Sequence, residues 1–211
     1  MDNSLYMIIT KKFKTIDSDL NAIPLSSKDI CLEEISSGNN APQQVDLNRD
    51  GNGIPFIRVK DLNNTDSHYN IIPQEYISFD NSLKYRLRLF KKGAIVFPKS
   101  GQSVNTNNIG ILGQDSYVVN HLAVITCKNT TIRDYVFYLL KYYQTSNFKL
   151  DDNADYPTLS LQTIKKFKIP YSFDSAKKVS DEINTIDRNM NKRSVEEAEI
   201  NVLNKYVYSK K

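Results

Sequence analysis

Between residues 173 and 210 the chain contains neither glycine nor proline. Ala176, Val179, Ile183, Ile186 and Met190 recur there at three- and four-residue steps, with Lys, Asp, Asn and Arg between them. That period gathers the apolar residues into one narrow seam of an α-helix, of the kind that packs against a second helix. About 36 residues at ~1.5 Å each make a rod of roughly 54 Å, longer than a small globular body covers. Arg193 interrupts the seam, and its phase shifts to Val195, Ala198, Val202 and Tyr206. Ser194-Val195-Glu196-Glu197 has capping-box spacing at that point, so the helix either breaks near residues 191–193 or carries a stutter. Nothing earlier in the sequence supplies a matching helix. The stretch therefore reads as an assembly arm, with Val179, Ile183, Ile186, Met190, Val195, Val202 and Tyr206 as its interface. The alternative is a helix folded back on its own domain.

A chain of 211 residues suits one globular domain plus such an accessory element. No run of 18 apolar residues spans a membrane, and residues 1–10 lack the charged start and apolar centre of a signal peptide. A cytoplasmic protein is expected. Cys31 and Cys127 sit in apolar company and read as buried thiols rather than a disulfide. Two histidines and two cysteines, widely separated, give no zinc site. The net charge is only +4, but its distribution is uneven. Residues 81–114 hold Lys84, Arg86, Arg88, Lys91, Lys92 and Lys99 and no acid. A one-sign block within a folded domain makes a local positive field, or else a solvated face.

In chain order, residues 1–19 read as an N-terminal arm. Ser26 or Ser27 caps a short helix. Residues 36–42 and 48–53 are loops by composition. In residues 54–60, Phe56, Arg58 and Lys60 alternate with Ile57 and Val59, as in a half-buried strand. Residues 83–90 alternate Leu83, Tyr85, Leu87 and Leu89 against Lys84, Arg86 and Arg88, so a strand would set three cations on one face. Residues 94–97 form a buried strand, and 98–108 an amide- and hydroxyl-rich loop. Strands follow at 109–112 and 117–127. Thr131-Ile132-Arg133-Asp134 has a capping-box pattern before a helix over 135–144, and Ser160 caps a short helix through Ile164. Phe167-Lys168-Ile169-Pro170 is extended, because Pro170 disfavours helical geometry before it. The sum is an α+β body of short, mostly antiparallel strands with flanking helices over 20–172, followed by the long helix of 173–211.

No catalytic constellation assembles. The sequence lacks a glycine-rich cofactor loop with an Asn/Asp-Pro-Pro-aromatic motif, a phosphate loop and a nucleophile elbow. His121, after Asn120, reads as structural. What remains is recognition. Arg58, Lys60, Lys84, Arg86, Arg88, Lys91, Lys92 and Lys99 supply phosphate attraction. Ser100, Gln102, Asn105, Asn107 and Asn108 offer the amide and hydroxyl groups that pair with base edges, although such loops are also ordinary turn filler.

Four stretches carry a resemblance. Gly53-Ile54-Pro55-Phe56-Ile57-Arg58-Val59-Lys60-Asp61-Leu62 is similar to the signature early in the target-recognition domains of DNA specificity subunits of Type I restriction–modification systems. Lys92-Gly93-Ala94-Ile95-Val96-Phe97-Pro98-Lys99-Ser100-Gly101 resembles that family's central strand and glycine turn. Val119-Asn120-His121-Leu122 resembles its Asn-(Gln)-His strand, without the Gln. Leu159-Ser160-Leu161-Gln162-Thr163-Ile164 through Lys168-Ile169-Pro170 resembles the segment before its helix. Lys177-Lys178-Val179-Ser180 departs from the Gln-x-x-Ile step that commonly opens that helix.

The resemblance implies a single target-recognition domain with one spacer helix, where full subunits carry two of each. It implies a non-catalytic chain that binds double-stranded DNA and reads one half of a bipartite site. It would dock a methyltransferase subunit and, where one exists, a motor-nuclease subunit. Two copies would pair through their C-terminal helices. No cofactor is expected on this chain, since S-adenosylmethionine would belong to the partner methyltransferase. The reading from another class is a protein–protein adaptor whose basic face has no sequence-specific DNA role.

Overall fold

The computed structural model describes residues 21–143, 158–186 and 189. Its centre is a five-stranded sheet ordered β2-β10-β7-β8-β5, built from β2 (Leu32–Ser37), β5 (Asn70–Ile71), β7 (Ile95–Pro98), β8 (Gly110–Leu112) and β10 (Leu122–Cys127). A four-stranded sheet is ordered β3-β6-β4-β9, from β3 (Leu47–Asn48), β4 (Ile54–Ile57), β6 (Tyr76–Ile77) and β9 (Tyr117–Val118). β1 (Ala22–Pro24) pairs antiparallel with β11 (Lys168–Pro170). Three helices join them: α1 (Phe79–Lys84), α2 (Thr130–Tyr143) and α3 (Leu161–Lys166). A further helix covers 173–186. Among the described strands most pairings are antiparallel, the exceptions being β4 with β9 and β5 with β8.

The central strands are apolar because both their faces are covered, which gives a continuous run rather than an alternating one. The alternation survives in what each residue touches. On β7 and β10, Ile95, Phe97, Ala123 and Ile125 face one core, and Val96, Leu122 and Val124 face the other. The first core lies under the helices and holds Tyr135, Val136, Leu139 and Ile164. The second lies under the four-stranded sheet and holds Phe56, Ile57, Ile77 and Val118. β10 sits between β2 and β7, with Ala123 opposite both Ser37 and Phe97.

Several expected elements stand where the sequence places them. Ser27 and Ser160 cap their helical turns, with N–H donors from Asp29 and Thr163. Ser172 caps the helix of 173–186, accepting the Ser175 N–H at 3.1 Å.

Others differ. Residues 83–90 are not a strand. Ser78 accepts the Asn81 N–H at 3.2 Å and opens α1, which then ends in irregular chain with Arg86 in the left-handed region (φ 52). A local cap outweighs the period-two pattern, and Leu87 and Leu89 reach the second core from that irregular segment. The 54–60 strand stops at Ile57, and Pro55, Phe56 and Ile57 are all buried, because β4 is paired on both sides. Residues 59–63 wind into a 3-10 turn instead. The strand of 117–127 is two, parted at 119–121. β2 takes Ser36 and Ser37 out of the expected loop. α2 begins at Thr130, and its capping group is Asn129, which accepts the Ile132 N–H at 2.9 Å; Asp134 pairs with Arg133. Cys31 and Cys127 are free thiols, each partly buried.

The seam of the C-terminal helix is also placed differently. Val179 and Ile183 are buried with Ala176 in the first core of their own chain, and Ile186 packs against it. This corrects the expectation that they face a second helix: a narrow apolar stripe serves equally well to fold back on a body. Met190, Val195, Val202, Tyr206, the break near 191–193 and the arm of 1–19 lie outside the described residues.

Candidate nucleic-acid interface

Backbone hydrogen bonds tie the four resemblance stretches into one unit. The Val119 N–H donates to the Ile57 carbonyl at 2.9 Å, the Lys99 N–H to His121 at 2.9 Å, and the Leu159 N–H to Lys99 at 2.7 Å. The parallel register of Ile57 with Val118 sends Arg58 and Asn120 out at the same end of β4 and β9. The antiparallel register of Leu122 with Pro98 brings Lys99 and Ser100 to that same end. The result is a rim of polar groups where three strands terminate.

Several groups on the rim are held by hydrogen bonds. Ser100 Oγ and His121 Nδ1 share a hydrogen bond of 2.7 Å. Asn120 donates to Asn40 Oδ1 at 3.0 Å, and the Ser37 hydroxyl to the Asn120 carbonyl at 3.1 Å. Gly38 passes so close that a Cβ there would meet the carbonyl oxygens of Val118 and Val119. Gly101 (φ 79) turns the chain into a 3-10 turn over Gln102–Thr106, anchored by buried Val104.

Beside the rim, cations stand over buried acids. Glu75, its side chain 2% exposed, receives Arg58 Nε at 2.5 Å, Lys60 Nζ at 2.8 Å and Arg49 at 3.6 Å, and the Arg49 side chain is 71% exposed. Burial works against the Glu75 charge, but hydrogen bonds from Lys60 and Arg58 outweigh it and hold the carboxyl below its usual range. Asp61 is fully buried and accepts the Arg58 N–H at 2.8 Å, while its Oδ1 has no hydrogen-bond partner among the described residues. Burial pushes its carboxyl up, against the Arg58 bond and the Lys60 charge. Arg58 also donates to Gln44 at 3.3 Å, which links this cluster to the 3-10 turn of Gln44–Asp46. Asp46 in turn binds Lys84 Nζ at 2.9 Å and the Tyr85 hydroxyl at 2.5 Å. Glu75 and Asp61 are buried while Arg49 and Lys60 reach the surface, so around these two acids the exposed charge is positive even though the pairs are formed.

The expected DNA-contacting residues divide on this geometry. Arg58, Lys60, Lys99 and Ser100 meet at the rim. Lys84, Arg88 and Lys91 are ion-paired, to Asp46, Glu34 and Asp115. Arg86, Lys92 and Lys99 have no ion pair among the described residues. Gln102 and Asn105 are exposed, whereas Asn107 donates to the Lys141 carbonyl at 3.3 Å and Asn108 to Asn63 at 2.5 Å, which fastens the loop to the body. Sequence reasoning missed Arg49, Glu75, Asp46 and Asn40, and named Asn120 only as part of a family stretch. An acid that binds cations from distant turns leaves no local pattern.

Among the described residues no cluster of three or more His, Cys, Asp or Glu side chains converges to hold a metal ion, and no helix is long and apolar enough to cross a membrane. A body with two cores and a polar, amide-bearing edge defines an α+β domain. Residues 25–199 match the family model of the Type I restriction modification DNA specificity domain, and the chain belongs to that family.

The chain is 33% identical over 110 residues to the Type I restriction enzyme MjaIX specificity subunit of Methanocaldococcus jannaschii, a match covering 51% of this chain and 24% of that protein. Three solved structures share the fold. A chain from the work on complex assembly and conformational transition of the type I R-M system has TM-score 0.64 and 14% identity, over 94% of this chain and 47% of that one. The HsdS subunit of Thermoanaerobacter tengcongensis has TM-score 0.58 and 12% identity, over 89% and 44%. The S subunit from M. genitalium has TM-score 0.55 and 17% identity, over 95% and 47%. The chain thus spans about half the length of these solved relatives.

Proposed function

We propose that this chain is a DNA-reading specificity component of a Type I-like restriction–modification methyltransferase. Its body over 20–172 lies on double-stranded DNA and recognises one half of a bipartite site. It carries no catalytic role and binds no cofactor. Methyl transfer from S-adenosylmethionine belongs to a methyltransferase subunit docked to it, and cleavage, where it occurs, to a motor-nuclease subunit. Two copies pair through the C-terminal segment, beyond the turns that Val179 and Ile183 bury in the body, and so present two half-sites.

The observation that carries this reading is the cation cluster of Arg49, Arg58 and Lys60 over buried Glu75, with Arg49 and Lys60 exposed, at the strand ends where the family stretches meet. Phosphates that pair with such cations release their condensed counterions, which favours binding and makes it salt-dependent, and amides on the rim would supply direct base readout.

The test is methylation sequencing of genomic DNA with and without this chain, the methyltransferase being expressed in both, together with duplex binding across a salt series. Loss of methylation at one interrupted motif, with log K falling by about 0.9 per log salt for each phosphate contact, is expected. Unchanged methylation with salt-independent binding would instead favour the adaptor.

A further inference from the structure

The 3-10 turn of Gln102–Thr106 is pinned at both ends and through its middle. Gly101 (φ 79) opens it, and Val104, fully buried, anchors it in the first core. The Ser103 hydroxyl donates to the Ser100 carbonyl at 3.2 Å, and the Thr106 hydroxyl to the Ser103 carbonyl at 2.7 Å. Just past the turn, Asn107 donates to the Lys141 carbonyl of α2, and Asn108 to Asn63 on the 3-10 turn that carries Lys60. These hydroxyls and amides do what polar side chains ordinarily do in a turn, which is to bond nearby backbone and fasten the loop.

Gln102 and Asn105 do something else. Both are exposed, and among the described residues their side-chain amides bond only to each other. Three residues apart on a 3-10 turn, they lie one above the other, and Asn105 Nδ2 donates to Gln102 Oε1 at 3.5 Å. That bond sets the sense of the Gln102 amide. Its oxygen keeps one lone pair and its nitrogen keeps both hydrogens. The amide so held offers an acceptor beside a donor in one plane. In the major groove adenine presents the complement, its N6 amino group as donor beside N7 as acceptor. Guanine shows two acceptors there, thymine an acceptor beside a methyl group, and cytosine a single donor.

We infer that Gln102 reads an adenine of the half-site, Oε1 accepting from N6 and Nε2 donating to N7, and that Asn105 is the residue that positions it. Asn107 and Asn108, whose amides are committed to the body, fasten the loop instead. The inference rests on the DNA-reading role proposed above, and names the base and its reader within that role.

The experiment uses the full chain with its methyltransferase, a duplex carrying the methylated motif and a scrambled duplex. Replacing the motif adenines one at a time by 7-deazaadenine, which lacks the N7 acceptor, is expected to weaken binding of the unmodified protein about fivefold or more at one position. Gln102→Ala is expected to lose affinity for the motif duplex by a similar factor, to keep its affinity for the scrambled duplex, and to ignore 7-deazaadenine at that position. Asn105→Ala is expected to reduce the same discrimination in part. Gln102→Glu keeps the size of the side chain and puts an acceptor where the donor was, so methylation sequencing is expected to show cytosine in place of adenine at that position, because a carboxylate accepts from cytosine N4. Indifference of the unmodified protein to 7-deazaadenine at every adenine overturns the inference, and this arm needs no variant. So does a Gln102→Ala protein that still senses the substitution, or a Gln102→Glu protein that methylates the unchanged motif. Failure of the unmodified protein to bind either duplex would strike the DNA-reading role itself and is thereby told apart.

Discussion

The Ser100 hydroxyl and the His121 imidazole meet at 2.7 Å across the ends of β7 and β10. Two stretches 21 residues apart are closed into one edge by that bond. Ser100→Ala removes it without opening a large cavity. A single neutral hydrogen bond contributes about 0.5–1.5 kcal/mol, and a chain of this size loses about 2–4 °C of Tm per kcal/mol. Thermal denaturation should show a fall of that size, and motif-specific binding should weaken with it.

Arg86 and Arg88 are separated by one residue and by their partners. Arg88 makes a two-pronged pair with Glu34 and stacks over Phe90 with its guanidinium 5.0 Å from the ring centroid, whereas Arg86 has no ion pair among the described residues. Arg86→Ala should lower the salt slope of DNA binding by about 0.9, one phosphate contact, and leave Tm unchanged. Arg88→Ala should change stability by less than about 1 kcal/mol, as exposed pairs do, and change the slope less. Binding isotherms at four salt concentrations separate the two.

Glu75 and Asp61 respond to pH in opposite senses. The Glu75 carboxyl is lowered in the folded chain, so its contribution is present above the unfolded value of ~4.3 and lost as pH falls through the folded one. The Asp61 carboxyl is raised, so its contribution is present below ~3.9 and lost as pH rises through the folded value. Glu75→Gln should therefore destabilise at pH 7 and flatten the acid limb of the stability profile. Breaking a fully buried pair costs about 3–5 kcal/mol; with the cations left in water, about 1–2 kcal/mol is expected. Asp61→Asn should stabilise at pH 7, because it removes a charge that burial disfavours while its amide oxygen can still accept the Arg58 N–H. Urea denaturation between pH 3 and 8 measures both.

Ile183 is 3% exposed in the core under α2. Ile183→Asp buries an unpaired charge, a change on the order of 3 kcal/mol or more. The variant should melt at markedly lower temperature as a single chain. An unchanged melt with lost self-association would return this residue to the interface first expected for it.

Burial pushes the Cys127 thiol up to about 12, with the Arg133 charge opposing. Little thiolate exists at pH 8, and the thiolate is the nucleophile. Alkylation of Cys127 in the native chain should be slow and should accelerate on unfolding, as read by mass spectrometry.

The sequence alone determined the elements whose signals are local. The run of 94–97 is a buried strand, the apolar period after residue 131 is α2, Ser27 and Ser160 are caps, and four ordered stretches point to the family. Local chemistry suffices there, because a cap or a period is complete within a few residues. Tertiary structure alone decided which charges are available and which faces are covered. The basic block of 84–99 reads as uniform, yet Glu34, Asp46 and Asp115 neutralise three of its members from distant turns. Glu75, buried just before β6, assembles Arg49, Arg58 and Lys60 into a cluster that no spacing announces. The seam at Val179 and Ile183 could pack on a partner or on its own body, and the apolar surface offered by α2 and α3 settled that choice. Periodicity states which side of a helix is apolar; what covers it depends on what the rest of the chain leaves exposed.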